Sequence, residues 1–109
     1  MPIFEISGKY TPQAHAAVLS AGYASREAAG KGLIESLGGK LLSWYWIASP
    51  DRDFVAICDL PSSDALFVMG GVGDSSGAFV RSEAHELRTS AQAQATSGLQ
   101  PKWSPPGQS

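Results

Sequence analysis

Apolar and polar positions alternate from Pro2 to Tyr10. Phe4, Ile6, Gly8 and Tyr10 fall on one side, and Ile3, Glu5, Ser7 and Lys9 on the other. A period of two over this length predicts a strand. Thr11-Pro12 then reads as a helix N-cap followed by proline at the first helical position, where its missing N–H is no loss. A helical stretch follows to about Leu37, with Ala14, Val18, Ala29, Leu33 and Leu37 as inward positions. The weak helix formers from Ser20 to Ser25, with Gly22 among them, predict a break, and Ser25 can cap a second piece. Gly38-Gly39 supplies the stop.

Lys40 to Ala48 predicts a second strand rich in aromatics, Ser49-Pro50-Asp51-Arg52 a turn, and Asp53 to Leu60 a third strand in hairpin with the second. Pro61 to Asp64 opens a short helix that Gly70, Gly71 and Gly73 weaken or end. Ala78 to about Leu87 is a fourth strand, after which the apolar period fades. The order β-α-β-β-α-β is the ferredoxin-like pattern of an α+β domain: a four-stranded antiparallel sheet with two helices on one face. Residues 1–90 form that domain. Residues 91–109 form a C-terminal extension, which from Ser97 onward is rich in Pro, Ser, Gly and Gln. It is expected to be mobile unless docked, and Trp103 is the residue able to dock it.

The second face of such a sheet has no helix to cover it. If Phe4, Ile6 and Tyr10 point at the helices, the open face carries Glu5 and Lys9 from the first strand and Arg81, Glu83 and His85 from the last, beside Phe79 and Leu87. Trp44 and Trp46 lie together, opposite Leu41, Tyr45 and Ile47, and are read onto the same open face. Two such faces packed together would enclose apolar walls with a few convergent polar groups, as small-molecule sites do. Reading the register one residue out would exchange the two faces.

Composition narrows the choice of partners. The chain has 109 residues, 43% hydrophobic and 17% charged, which suits one globular domain. Eight basic and ten acidic side chains, with no basic run, argue against nucleic acid. A single cysteine, Cys58, excludes an internal disulfide framework and a cysteine-only zinc site. The apolar runs are short of the ~18 residues of a membrane span, and no signal peptide is apparent at the N-terminus. A soluble cytoplasmic protein is expected. Ala, Ser and Gly together supply 42 of the 109 residues, so each buried position yields little apolar area. Such a chain gains core from a partner, and a homodimer or larger even-numbered oligomer is expected.

Lys9-Tyr10-Thr11, Leu37-Gly38-Gly39-Lys40-Leu41, Tyr45-Trp46 and Val80-Arg81 give the chain a resemblance to the GYD-domain family, over roughly residues 2–90. The tripeptide that names the family falls at Asp51-Arg52-Asp53, where only the aspartate is kept. The resemblance implies membership of the dimeric α/β-barrel group of ferredoxin-like proteins. The family's activity is largely unassigned, and the wider group includes cofactor-independent monooxygenases, haem-handling enzymes and lactone isomerases.

His85 is the first candidate for acid–base chemistry, with Glu83 or Arg81 on its strand face to orient it. The plainer reading is a rim histidine bonded to a neighbour. Asp53 is a candidate base or ligand anchor, although an aspartate beside Pro50 and Arg52 more often closes a turn. Arg81 or Lys9 would hold an anionic group, Glu5 and Glu83 complete the polar set, and Trp44 and Trp46 form a wall or fill an interface. His15, near the start of the first helix, is expected to face solvent. Gly70-Gly71-Val72-Gly73 lacks the lysine and hydroxyl residue of a phosphate loop. No metal site is expected and no cofactor. Haem through one axial histidine is compatible with the chain, but no haem-specific motif accompanies it. Two functions follow: a homodimer binding a small organic molecule and transforming it without a metal, or a non-catalytic oligomeric or regulatory module whose polar faces pair, for instance Glu5 with Arg81.

Overall fold

Antiparallel pairing sets the frame of the molecule. The computed structural model describes residues 1–108. Its elements are β1 (Ile3–Tyr10), α1 (Pro12–Ala21), α2 (Tyr23–Ser36), β2 (Lys40–Trp46), β3 (Phe54–Asp59), α3 (Ser63–Ser75), β4 (Phe79–Leu87) and α4 (Ser90–Gln94). The sheet order is β2-β3-β1-β4 with every pair antiparallel, the ferredoxin-like arrangement.

Local chemistry explains most element ends. The Thr11 hydroxyl accepts from the Ala14 N–H at 3.2 Å, and Pro12 occupies the first turn of α1. The helical stretch breaks at Gly22, with φ of 97°, so the break falls where expected but on the glycine rather than at Ser25. At the end of α2, Gly38 takes φ of 83° and donates to the Glu35 carbonyl, while Gly39 donates to that of Ile34. This is a Schellman stop. Gly38 supplies the left-handed turn, whereas Gly39 is needed for close packing: a Cβ there would collide with the Asp59 carbonyl and the Leu60 side chain.

α3 departs from expectation, running unbroken through Gly70, Gly71 and Gly73. Each interior glycine costs a helix about 1 kcal/mol relative to alanine. That cost is offset by the Ser62 cap on the Asp64 N–H and by Leu66 and Met69, which pack on the core. α4 is also additional. Thr89 and Gln92 cap it reciprocally, and the pattern Thr-x-x-Gln was present in the sequence as its signal.

Two bulges decide which side chains face where. Leu42 is an extra residue between the pairs Leu41–Cys58 and Ser43–Ile57, and Val80 between Lys9–Arg81 and Tyr10–Phe79. Each reverses the alternation of its strand. Trp44 and Trp46, expected on the open face with Glu5 and His85, therefore lie on the helix-facing side with Leu41, opposite Ala56 and Phe54. Phe79 turns inward in the same way and stacks on Tyr10, ring centres 5.1 Å apart.

The helix-facing side holds two clusters. Phe4, Ile34, Cys58, Leu60 and Met69 form an aliphatic one. Tyr10, Val18 and Phe54, with Ala14, Trp44, Trp46 and Phe79 against them, form an aromatic one. Beyond β4 the chain leaves the body of the domain: every described residue from Arg88 onward is exposed, including Trp103 at 77%. The radius of gyration, 17.0 Å, exceeds the ~13 Å of a compact domain of this length accordingly.

Candidate functional site

Between the α1–α2 pair and α3, over the helix-facing side of the sheet, lies a cavity of about 650 Å³. Small side chains leave it open. Ala14, Ala17 and Ala21 of α1 and Ala29 of α2 line one wall, Gly70 and Gly73 the other, so neither helix layer reaches across. Ala29, expected to be inward, does line the cavity and is exposed because the space beside it is open. The floor is made by Ile6, Ala56 and Ala84, and the aromatic cluster closes one side with Tyr10, Phe54, Phe79 and Trp44. Trp44 stacks on Phe54 at 4.6 Å with the rings 8° apart. Its indole passes beneath Gly30, where a Cβ would come within 2.5 Å of the ring. The volume is within the ~300–1,000 Å³ of small-molecule sites.

The polar groups of this cavity are few. Burial pushes the Tyr10 phenol above its ordinary pKa of 10.0; Arg26 pulls it back and Asp53 adds to the rise. Arg26 lines the cavity from the first turns of α2, and Asp74 from the end of α3. Cys58 lies outside the cavity lining, in the aliphatic cluster, where burial and the neighbouring Asp59 push its thiol up to about 11.

The candidate site residues from the sequence divide into two groups. On the open face, Glu5 pairs with His85, Ser7 with Glu83 and Lys9 with Arg81 across β1 and β4, so this part of the polar set does share one side. Glu83 is its centre. One oxygen accepts from Arg81 Nε at 2.7 Å, and the other lies 3.2 Å from His85 Nε2. The hydrogen bonds to His85 and then to Arg81 hold the Glu83 carboxyl below its ordinary 4.5. Arg52 Nη1 reaches Glu5 at 4.0 Å. His85 is well exposed and does not line the cavity between helices and sheet.

Asp53 belongs elsewhere. Its side chain is buried, accepting from Lys9 Nζ at 3.1 Å and from the Tyr10 N–H at 2.8 Å, with His15 Nδ1 3.8 Å away. Its own backbone bonds Gly8 and Ile47. The aspartate thus ties the end of β1, opposite the β4 bulge, to the start of β3, and Lys9 is drawn to it rather than left free. His15, expected to face solvent, sits beside this carboxylate and 6.3 Å from the Tyr10 ring. Sequence reading missed Arg26, which looks like an ordinary solvated helix charge. The signal available was the alanine row 14, 17, 21 on the inward side of α1, too small to fill the space above the sheet.

The GYD domain model matches residues 5–96, most of the chain. The chain belongs to the GYD-domain family. The matched span takes in α4 and stops before Trp103. Comparison with curated proteins yields no match. In this GYD-domain chain Asp53 has a structural task, and Leu37-Gly38-Gly39-Lys40-Leu41 builds the α2 stop and the start of β2. Among the described residues there is no group of three or more His, Cys, Asp or Glu able to hold a metal ion, and no helix is long and apolar enough to cross a membrane.

Proposed function

We propose that this chain is a small-molecule-binding protein whose site is the cavity between the helices and the sheet, and that it works as a cytoplasmic homodimer paired through the open face. One observation carries the reading: a cavity of about 650 Å³, apolar on most of its surface, in a domain with too few large side chains to fill it. Leaving such a space empty forfeits dispersion contacts on every wall, and a ligand restores them. The open face then has a different task from the one its histidine suggests. Arg81, Glu83 and His85 already satisfy one another, and Glu5, Tyr45, Val55 and Ile57 complete a surface of mixed charge and apolar patches. A two-fold axis across it sets the acidic row of one copy against the basic groups of the other. Binding is the activity proposed, and the reading requires no reaction of His85 or Asp53.

The test is native mass spectrometry of the protein purified without added ligand, then with an uncharged aromatic probe, beside an Ala17→Trp variant that fills the cavity. An even-numbered oligomer that takes up the probe in the wild type and not in the variant is expected. A monomer removes the pairing, and equal uptake by both proteins removes the cavity.

A further inference from the structure

We infer that the cavity selects an aromatic molecule bearing an acidic group, with its ring against Tyr10, Phe54 and Phe79 and its anion at Arg26; this rests on the cavity reading above. The inference starts from the arginines. The chain has four. Arg52 reaches Glu5, Arg81 holds Glu83 and Arg88 holds Glu86, whereas Arg26 has no carboxylate among the described residues. An arginine stays charged at any working pH and presents five donors suited to a planar acid. Arg26 is exposed and lines the apolar cavity, so a carboxylate or sulfonate bound there would complete its donors bidentately.

Three other groups bear on the sign. Glu83 also borders the cavity from β4, but its carboxylate lies on the open face, where both oxygens are committed to Arg81 and His85. Tyr10 is neutral, its phenol raised by burial. Asp74 is the opposing charge, on the α3 wall. The helix dipoles agree with this division, since α2 begins near Arg26 with no acid in its first turn and α3 ends near Asp74. The aromatic preference comes from the rings themselves. Phe79 and Phe54 lie 5.1 and 5.5 Å from Tyr10, and all three line the cavity, where they offer offset or edge-on partners to a further ring.

The experiment uses two fluorescent probes with one ring system: 8-anilinonaphthalene-1-sulfonate, which is anionic, and N-phenyl-1-naphthylamine, which is not. Both are titrated into the full chain, wild type and variants, with near-ultraviolet circular dichroism to confirm native packing. The wild type should bind the sulfonate more tightly. Arg26→Gln should weaken the sulfonate about tenfold, one charge-assisted contact, and leave the uncharged probe within about twofold of its wild-type affinity. Asp74→Asn should tighten the sulfonate alone. If Arg26→Gln weakens neither probe, or weakens both equally, the acidic-ligand inference is overturned while the cavity stands. Ala17→Trp, or Ala29→Phe should that variant not fold, must abolish both probes. If both still bind to the filled protein, the cavity reading itself falls.

Discussion

The two ends of the sheet's helix-facing side are packed on different terms. At one end Cys58 and Leu60 are 0% exposed, Ile34 and Phe4 close over them, and Gly39 lets two backbones touch. At the other, aromatic rings stack in pairs around a space that alanines and glycines leave open. One end is sealed and holds the fold. The other spends its large side chains on lining a cavity. The difference teaches how a small domain rich in Ala, Ser and Gly divides its large side chains: Phe4, Cys58 and Leu60 serve packing alone, while Ile34 and Met69 belong to the sealed cluster and also line the cavity.

The largest effect expected is at the sealed end. Leu60→Ala should lower unfolding free energy by about 2–5 kcal/mol in urea, the range for a large core truncation that cannot collapse. Phe79→Leu, beside the open space, should lower it by only about 1 kcal/mol. Equal losses would erase the distinction between the ends. A second pair adds the same single methyl to each. Gly39→Ala should destabilise by about 1–3 kcal/mol through overpacking against the Asp59 carbonyl. Gly70→Ala, where nothing lies within 4 Å of the added Cβ, should stabilise by about 0.5–1 kcal/mol because helix propensity alone is changed.

The Cys58 thiol sharpens the comparison chemically. With its pKa raised to about 11 from 9.0, the native thiol should resist Ellman's reagent at pH 8 and react promptly once urea unfolds the chain. The folded state holds this proton more tightly, so its contribution is complete below pH 9 and is lost as pH rises toward 11. A fast native reaction would show the sealed end opening. The smallest effect belongs to the tail. Removing residues 98–109 should change stability by less than about 0.5 kcal/mol, since Leu99 and Trp103 are exposed in the single chain. A larger loss, dependent on protein concentration, would show that Trp103 docks on a second copy.

Much of this was legible in the sequence. Alternation in residues 3–10, the Thr11-Pro12 start and the Gly38-Gly39 stop each encode one local conformation, and the ferredoxin-like order follows from them. The facing of Trp44 and Trp46 was not legible. A bulge is set by how two strands meet, and one extra residue at Leu42 or Val80 leaves no mark in the composition of either strand. α3 was underestimated because its glycines were weighed without Leu66 and Met69, whose packing outweighs them. On the site, Glu5, Arg81, Glu83 and His85 were rightly placed on one side. Asp53 does its work through tertiary contacts with Lys9 and Tyr10 that lie 44 and 43 residues away. The cavity is what absent side chains leave behind, and only the folded chain displays it.

The most direct measurement is a map of amide chemical-shift changes in isotopically labelled full-length protein as the uncharged probe N-phenyl-1-naphthylamine is added. The account predicts changes concentrated at Ala17, Ala29, Gly70 and Gly73, on the two walls between the helices. Changes concentrated at Glu5, Val55 and His85, none of which lines the cavity, would place the ligand on the open face and contradict it.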